Sequence, residues 1–160
     1  MLKKTFLSTA VILGVASVVP LQQVQASVEK LTTPEAKKAL QTGSLTSEQL
    51  TKKLLSKAKQ LSDQNAFITI NEKAVEEAKA SDQVRASESG PRALEGIAIV
   101  VKDNIHVKGL PNTAGTPSLQ KFVPNQDNPV VKKLKEAGAI VLGKTNMHEL
   151  AFGITSNNCL

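Results

Sequence analysis

Gly96-Ile97-Ala98-Ile99-Val100-Val101-Lys102-Asp103-Asn104 is the stretch that decides the fold. The apolar residues Ile97 to Val101 run without interruption and end abruptly in a lysine, an aspartate and an asparagine. A continuous rather than alternating run is the pattern of a strand covered on both faces, as in a parallel sheet flanked by helices. Ligands of such sheets bind beyond the carboxyl ends of the strands, so the run delivers Lys102 to a site. A lysine whose stem lies in an apolar wall loses solvation of its charged form, which favours the neutral amine and makes it usable as a base. The competing explanation is a lysine that snorkels to water from a strand end, and from these residues alone it is the commoner of the two.

After the strand comes a long loop, His106 to Pro117, whose two glycines and two prolines suggest a shaped surface. Asn128-Pro129 then opens a helix through about Ala137, with Val130, Val131 and Leu134 inward, and Gly138 stops it. Ala139-Ile140-Val141-Leu142 is a second buried strand. Strand, crossover helix and strand make a parallel unit, so Gly143-Lys144-Thr145-Asn146 should lie on the same edge of the sheet as Lys102. Met147 to Phe152 reads as a short helix.

Upstream of the decisive strand, Thr46 or Ser47 caps a helix through about Leu61, with Leu50, Leu54, Leu55, Ala58 and Leu61 on one face. Ala66 to Ile70 is a short strand signal, followed by a helix rich in Ala and Glu from about Glu72 to Val84 and a loop from Ala86 to Arg92. Residues 27–44 are read as an N-terminal arm, with Pro34 suited to a first helical turn and Gly43 to a stop.

Composition narrows the function. A chain of 160 residues that is 41% hydrophobic and 21% charged has the makings of a globular core. Aromatics are only 2%, with no Trp or Tyr, so stacking platforms for single-stranded nucleic acid are missing. Two of the net +6 charges are Lys3 and Lys4, and the rest are interspersed with acids, which describes a solvated surface rather than a phosphate-binding stripe; no nucleic-acid partner is expected. Met1 to Ala26 has the layout of a secretory signal peptide: Lys3 and Lys4, an apolar run from Phe6 to Val19, and small residues near a cut after Ala26. That run is shorter than the roughly 20 residues of a stable membrane span. The mature protein is therefore expected to be secreted or in the cell envelope, with no stable membrane span after cleavage.

Several motifs fail on their own chemistry. Gly138 to Thr145 matches the spacing of a phosphate-binding loop, yet a helix precedes its first glycine and its variable positions form a hydrophobic strand. His148-Glu149 begins like a zinc-protease helix, but Phe152 stands where the second histidine belongs, and His106 with His148 lacks a third ligand. No metal and no cofactor is expected. Cys159 has no local base, and neither Ser118 nor Ser156 has a context that marks a nucleophile.

The run Gly96 to Asn104, Thr113-Ala114-Gly115, Asn128-Pro129-Val130-Val131, and the block from Ala137 through Glu149 resemble the amidase signature family. The likeness covers roughly Leu45 to Asn158 and includes the ordered motifs VKDN, TAG, AGAIVLGKTNMHE and AFGITSNN. It implies an α/β fold, the N-terminal part of a mixed, largely parallel sheet flanked by helices and incomplete in this chain, with residues 45–160 as a partial amidase domain. It also implies a small-molecule amide substrate and a Ser, cis-Ser, Lys mechanism in which Lys102 is the proton relay. By the same resemblance the glycine- and serine-rich signature carrying both serines lies downstream of Asn158, and Phe152 and Gly153 belong beside the substrate. Two alternatives are a catalytically inactive exported remnant or binding module, and a protein like the glutaminase-like subunit of the tRNA-dependent amidotransferase. Neither oligomeric state nor substrate identity is fixed by these residues. The signal-peptide reading makes a direct prediction: N-terminal sequencing of the exported protein yields Ser27 as the first residue, and a product starting at Met1 contradicts it.

Overall fold

In the computed structural model, residues 28–87, 90–154 and 158 are described; the segment read as a signal peptide, together with Ser156 and Cys159, lies outside them. The N-terminal arm is not loose. Helix α1 (Thr33–Thr42) carries Pro34 in its first turn and is stopped by Gly43, whose φ is 72°. Its Ala36 and Leu40 bury with Val28, Leu45, Leu50 and Ile97 in one cluster, so the arm is pinned to the beginning of the decisive strand.

Helix α2 (Ser47–Gln60) is capped by Thr46, whose hydroxyl accepts from the Gln49 N–H. A second acceptor comes from outside the helix. The Asp82 carboxylate takes the N–H groups of Ser47 at 2.7 Å and Glu48 at 3.0 Å. Asp82 belongs to helix α3 (Ala74–Ala86), so the orphan donors of one helix lock it to the next. Strand β1 (Phe67–Ile70) precedes α3, and β2 (Ala98–Lys102) follows it. Helix α4 (Pro129–Glu136), capped by Asn128, leads into β3 (Ile140–Thr145).

The three strands form one mixed sheet in the order β1-β3-β2. Strands β2 and β3 are parallel, as the strand-helix-strand unit requires, and β1 runs antiparallel to β3. On one face α3 lays Ala74 and Ala78 over Ile140 and Leu142, with Leu54 and Leu55 of α2 beside them. On the other, Val131 of α4 packs with Val101, Val107 and Val141.

Three expectations need correction. The strand covered on both faces is β3, buried from Ile140 through Lys144, and not β2. β2 is an edge strand, and beyond Ala98 its α3-side face is open: Val100 is 49% exposed and the Lys102 side chain is in solvent. In α4, Val131 points inward but Val130 is 64% exposed, because the short helix presents a narrow stripe to the sheet. Met147 to Phe152 is not an α-helix. Only a single tight turn, Glu149–Ala151, forms there, and Leu150 and Ala151 have φ of 51° and 58°, which a right-handed helix cannot continue. Their backbone groups go elsewhere, with the Leu150 N–H donating to the Ala114 carbonyl at 2.7 Å.

Two glycines are required by close approach. At Gly138, φ is 97° and a Cβ would lie 2.7 Å from Glu95 Cα. At Gly143, in the middle of the central strand, a Cβ would lie 2.3 Å from the Thr69 carbonyl oxygen. Gly143→Ala is expected to cost about 3 kcal/mol through overpacking against β1. Urea denaturation checks this; a loss under about 0.5 kcal/mol would show that β1 yields without cost.

Candidate active site

Side chains alternate faces along a strand, so Ile99, Val101 and Asp103 share the α4 side of β2, while Ala98, Val100 and Lys102 share the α3 side. Neighbouring parallel strands keep their faces in register, and β3 obeys this at first, with Ala98 beside Ile140 and Ile99 beside Val141. Then a β-bulge intervenes: Val100 pairs with Gly143, Val101 with Lys144 and Lys102 with Thr145. The extra residue on β3 shifts its phase by one. Without it Lys144 would stand beside Lys102; with it Lys144 joins the face of Val101 and Asp103. One step in register decides which lysine is buried.

Lys144 and Asp103 are both fully buried, 0% exposed, with Nζ 3.2 Å from Oδ1. Lys144 Nζ also donates to the Asn112 side-chain oxygen at 3.1 Å, the Pro111 carbonyl at 3.2 Å and the Asp103 carbonyl at 3.5 Å. Burial pulls the Lys144 ammonium below the usual lysine range, and the neighbouring Asp103 carboxylate opposes that pull. The other carboxylate oxygen, Oδ2, accepts from the Thr113 N–H at 2.9 Å and from the Thr113 hydroxyl. Thr113 Oγ1 in turn accepts from the Gly115 N–H at 3.0 Å. The Asp103 N–H continues the ladder to the Thr145 carbonyl at 3.2 Å. The loop that the sequence presents as a surface is thus anchored from below, with Asn112, Thr113 and Thr116 buried.

A second buried acid secures the start of β2. Glu95, 1% exposed, accepts from Ser81 at 2.5 Å and from Arg92 at 2.5 and 3.0 Å. Burial alone would raise its carboxyl, but the Arg92 and Ser81 bonds and the Arg92 charge hold it below 4.5. Both ends of the strand that carries Lys102 therefore rest on buried ionic groups.

Lys102 sits at the carboxyl end of β2, exposed, and among the described residues it makes no ion pair. Its stem does not lie in an apolar wall, because β2 is the sheet edge and α3 does not reach this far. Asp103 orients the strand end, whereas Asn104 is exposed. Phe152 is 89% exposed, and Gly153 is exposed as well, backed by the His148 ring. At the same end of the sheet a cleft of about 360 Å³ is lined by Phe67, Thr69, Pro111, Thr113, Gln120 and Asn146, among others, but not by Lys102, Phe152 or Gly153. The His148 ring lies 3.3 Å from the Glu149 carbonyl, and His106 lies edge-on to Phe122. Among the described residues no three His, Cys, Asp or Glu side chains gather where a metal ion could bind.

Sequence reasoning placed Lys144 only on the sheet edge and Thr113 only within a family motif, and gave neither a partner. Lys144 follows an unbroken apolar strand, but its pairing with Asp103 depends on the bulge, and that of Thr113 depends on the path of the long loop back to the end of β2.

A parallel strand pair with a helical crossover, ending in one exposed and one buried lysine at the carboxyl edge of the sheet, defines an α/β protein. The chain belongs to the amidase signature family: the Amidase family model matches residues 49–160. It is 45% identical to a mandelamide hydrolase of Pseudomonas putida over 81% of this chain and 26% of that protein. It is 47% identical to a glutamyl-tRNA(Gln) amidotransferase subunit of Exiguobacterium sibiricum over 58% of this chain and 19% of that one. The native peptide amidase of Stenotrophomonas maltophilia superposes with a TM-score of 0.71 at 34% identity, covering 75% of this chain and 25% of its own. The α/β architecture is that of the N-terminal part of the amidase signature fold, and the chain spans about a quarter of the length of these hydrolases.

The anchoring of the loop makes a prediction. Thr113→Val removes the hydroxyl that donates to Asp103 and accepts from Gly115, and should cost about 1–3 kcal/mol in urea denaturation. No loss would mean that Asp103 does not hold the loop.

Proposed function

We propose that this chain is the N-terminal portion of an exported amide-bond hydrolase, with Lys102 as the proton relay of a Ser, cis-Ser, Lys mechanism. The observation that carries the reading is Lys102 itself: it ends the VKDN strand of an amidase-family chain, free in solvent at the carboxyl edge of the sheet, on a strand end tied down by Asp103. A neutral Lys102 takes a proton from the cis-serine, which takes one from the attacking serine; as the serine oxygen bonds to the amide carbonyl, backbone amides hold the oxyanion. The C–N bond then breaks with the relayed proton passing to the leaving nitrogen, and water hydrolyses the acyl-enzyme to free acid and serine. Both serines belong to the part of the family's length beyond these residues, so the chain supplies the base and its mounting. Phe152, exposed in this chain, would form a wall against substrate.

The relatives act on mandelamide and indoleacetamide, which supports a small amide as substrate. The similarity to the glutamyl-tRNA(Gln) amidotransferase supports a second reading, against which the basic and apolar N-terminus speaks. A non-catalytic exported remnant or binding module is the remaining alternative.

The test is hydrolysis of mandelamide and indoleacetamide by the product of the complete coding sequence. Lys102→Ala should lower kcat about 10³-fold or more with the fold retained. Undiminished turnover in that variant would remove Lys102 from the mechanism. A wild type inert toward every amide would favour the remnant.

A further inference from the structure

We propose that the surface formed by Leu119, Phe122, Val123 and Val130, edged by Lys121 and Lys133, docks this chain on an anionic lipid bilayer. The inference goes beyond the reading of Lys102 and does not depend on it. Four apolar side chains stand in water on the α4 side of the sheet: Phe122 is 43% exposed and Val123 49%, and Leu119 and Val130 are exposed with them. They come from two segments that the fold brings together. The Phe122 ring meets the His106 ring edge-on at 5.5 Å, and the His106 carbonyl accepts from the Asn128 N–H at 3.0 Å, two residues before Val130. The Phe122 N–H donates to the Leu119 carbonyl at 2.9 Å, and its own carbonyl accepts from the N–H of buried Asn112 at 2.9 Å. The exposure thus belongs to a bonded loop rather than to a frayed one. Contiguous apolar surface of this kind marks a protein or a membrane contact.

Charge and composition choose between those two. From Asn104 to Glu136 the chain has five lysines and two acids. Along the chain they are interspersed, but in space both acids are taken: Asp127 pairs with Lys135 at 2.8 Å and Glu136 with Lys132 at 3.9 Å. Lys121 and Lys133 are exposed and make no ion pair among the described residues. Lys121 directly precedes Phe122, and Lys133 stands one turn from Val130 on α4. Lys108 adds a third exposed charge beside Gly109, whose N–H donates to the Pro124 carbonyl at 3.1 Å. Tyr, Trp and Arg, the residues that dominate protein interfaces, are absent from Asn104 to Glu136. Apolar side chains that enter the acyl boundary, within a rim of lysines that stay at the headgroups, are the chemistry of a peripheral membrane contact.

The chain has no Trp, so Phe122→Trp places a single reporter at the centre of the patch. Gln60→Trp, at the end of α2 on the opposite side of the sheet from α4, is its control. Urea denaturation confirms that each variant folds, and V123W carries the comparison if F122W does not. Full chains are mixed with phosphatidylcholine vesicles that contain about 30% phosphatidylglycerol and brominated acyl chains. F122W emission should move to shorter wavelength and be quenched on these vesicles but not on pure phosphatidylcholine, while Q60W emission stays unchanged. Adding K108Q, K121Q and K133Q to F122W should raise the lipid concentration of half-quenching about tenfold or more at low salt, and the three arginine replacements should restore it. Quenching at neither Trp, even with chains held on the vesicles by their basic and apolar N-terminus, overturns the inference, as does quenching at both. An unmoved half-quenching point in the triple variant overturns it as well. A shift of F122W that needs no lipid and grows with protein concentration assigns the patch to a second copy instead. In the product of the complete coding sequence, F122W emission that ignores vesicles means that further chain covers the patch, which also overturns the inference.

Discussion

The buried contact between Asp103 and Lys144 is the constraint on which the carboxyl edge of this sheet depends. Each side chain would be costly alone in a water-free setting, since an isolated buried charge loses its hydration without replacement. Together, with Thr113 bonded to Asp103 Oδ2 and with Asn112 and the Pro111 carbonyl accepting from Lys144, they join two strands and the long loop in one place. Hydrophobic packing brings β2 and β3 together, but it does not distinguish one loop conformation from another. The polar groups do that, because a displaced loop leaves an unpaired charge behind.

The bulge on β3 and the glycine within it are the geometric condition for that contact. Gly143 lets the β1 backbone come close at Thr69, and the extra residue turns Lys144 away from Lys102. Two lysines at adjacent strand ends would otherwise repel each other in the same half-open space. Separation by face gives them different environments from nearly the same sequence position: Lys144 is enclosed and ion-paired, while Lys102 is in water and available. The Asp82 cap on α2 and the Arg92-Glu95-Ser81 cluster hold the other end of the assembly, so the strand bearing Lys102 is fixed at both ends.

Much of this architecture was legible in the residues. The helix caps at Thr46 and Asn128, the stops at Gly43 and Gly138, and the parallel β2-β3 unit follow from local rules that the tertiary structure respects. What was not legible depends on context. An apolar run does not say whether a strand is central or at an edge, so Ile97 to Val101 read as doubly covered although Val100 is half exposed. Helical spacing at Met147 to Phe152 gave no warning that the Leu150 N–H bonds to Ala114 instead. For the site, Lys102 was found by its position after an apolar strand and assigned a role only by family resemblance. Lys144 was placed on the right edge but not recognised as the buried partner of Asp103, because a one-residue bulge leaves no mark on local propensity. Phe152 and Gly153 are exposed, and neither they nor Lys102 lines the cleft at this end of the sheet.

A double-mutant cycle between Asp103 and Lys144, followed by urea denaturation, tests the central claim most directly. If the pair holds the strand end and loop together, Asp103→Asn and Lys144→Met should each cost about 3–5 kcal/mol, since each strands a buried group. The combined variant should then fall short of the sum of the two losses by about 2 kcal/mol or more. Losses that simply add would show that the two side chains are buried near one another without depending on one another, and would contradict the account.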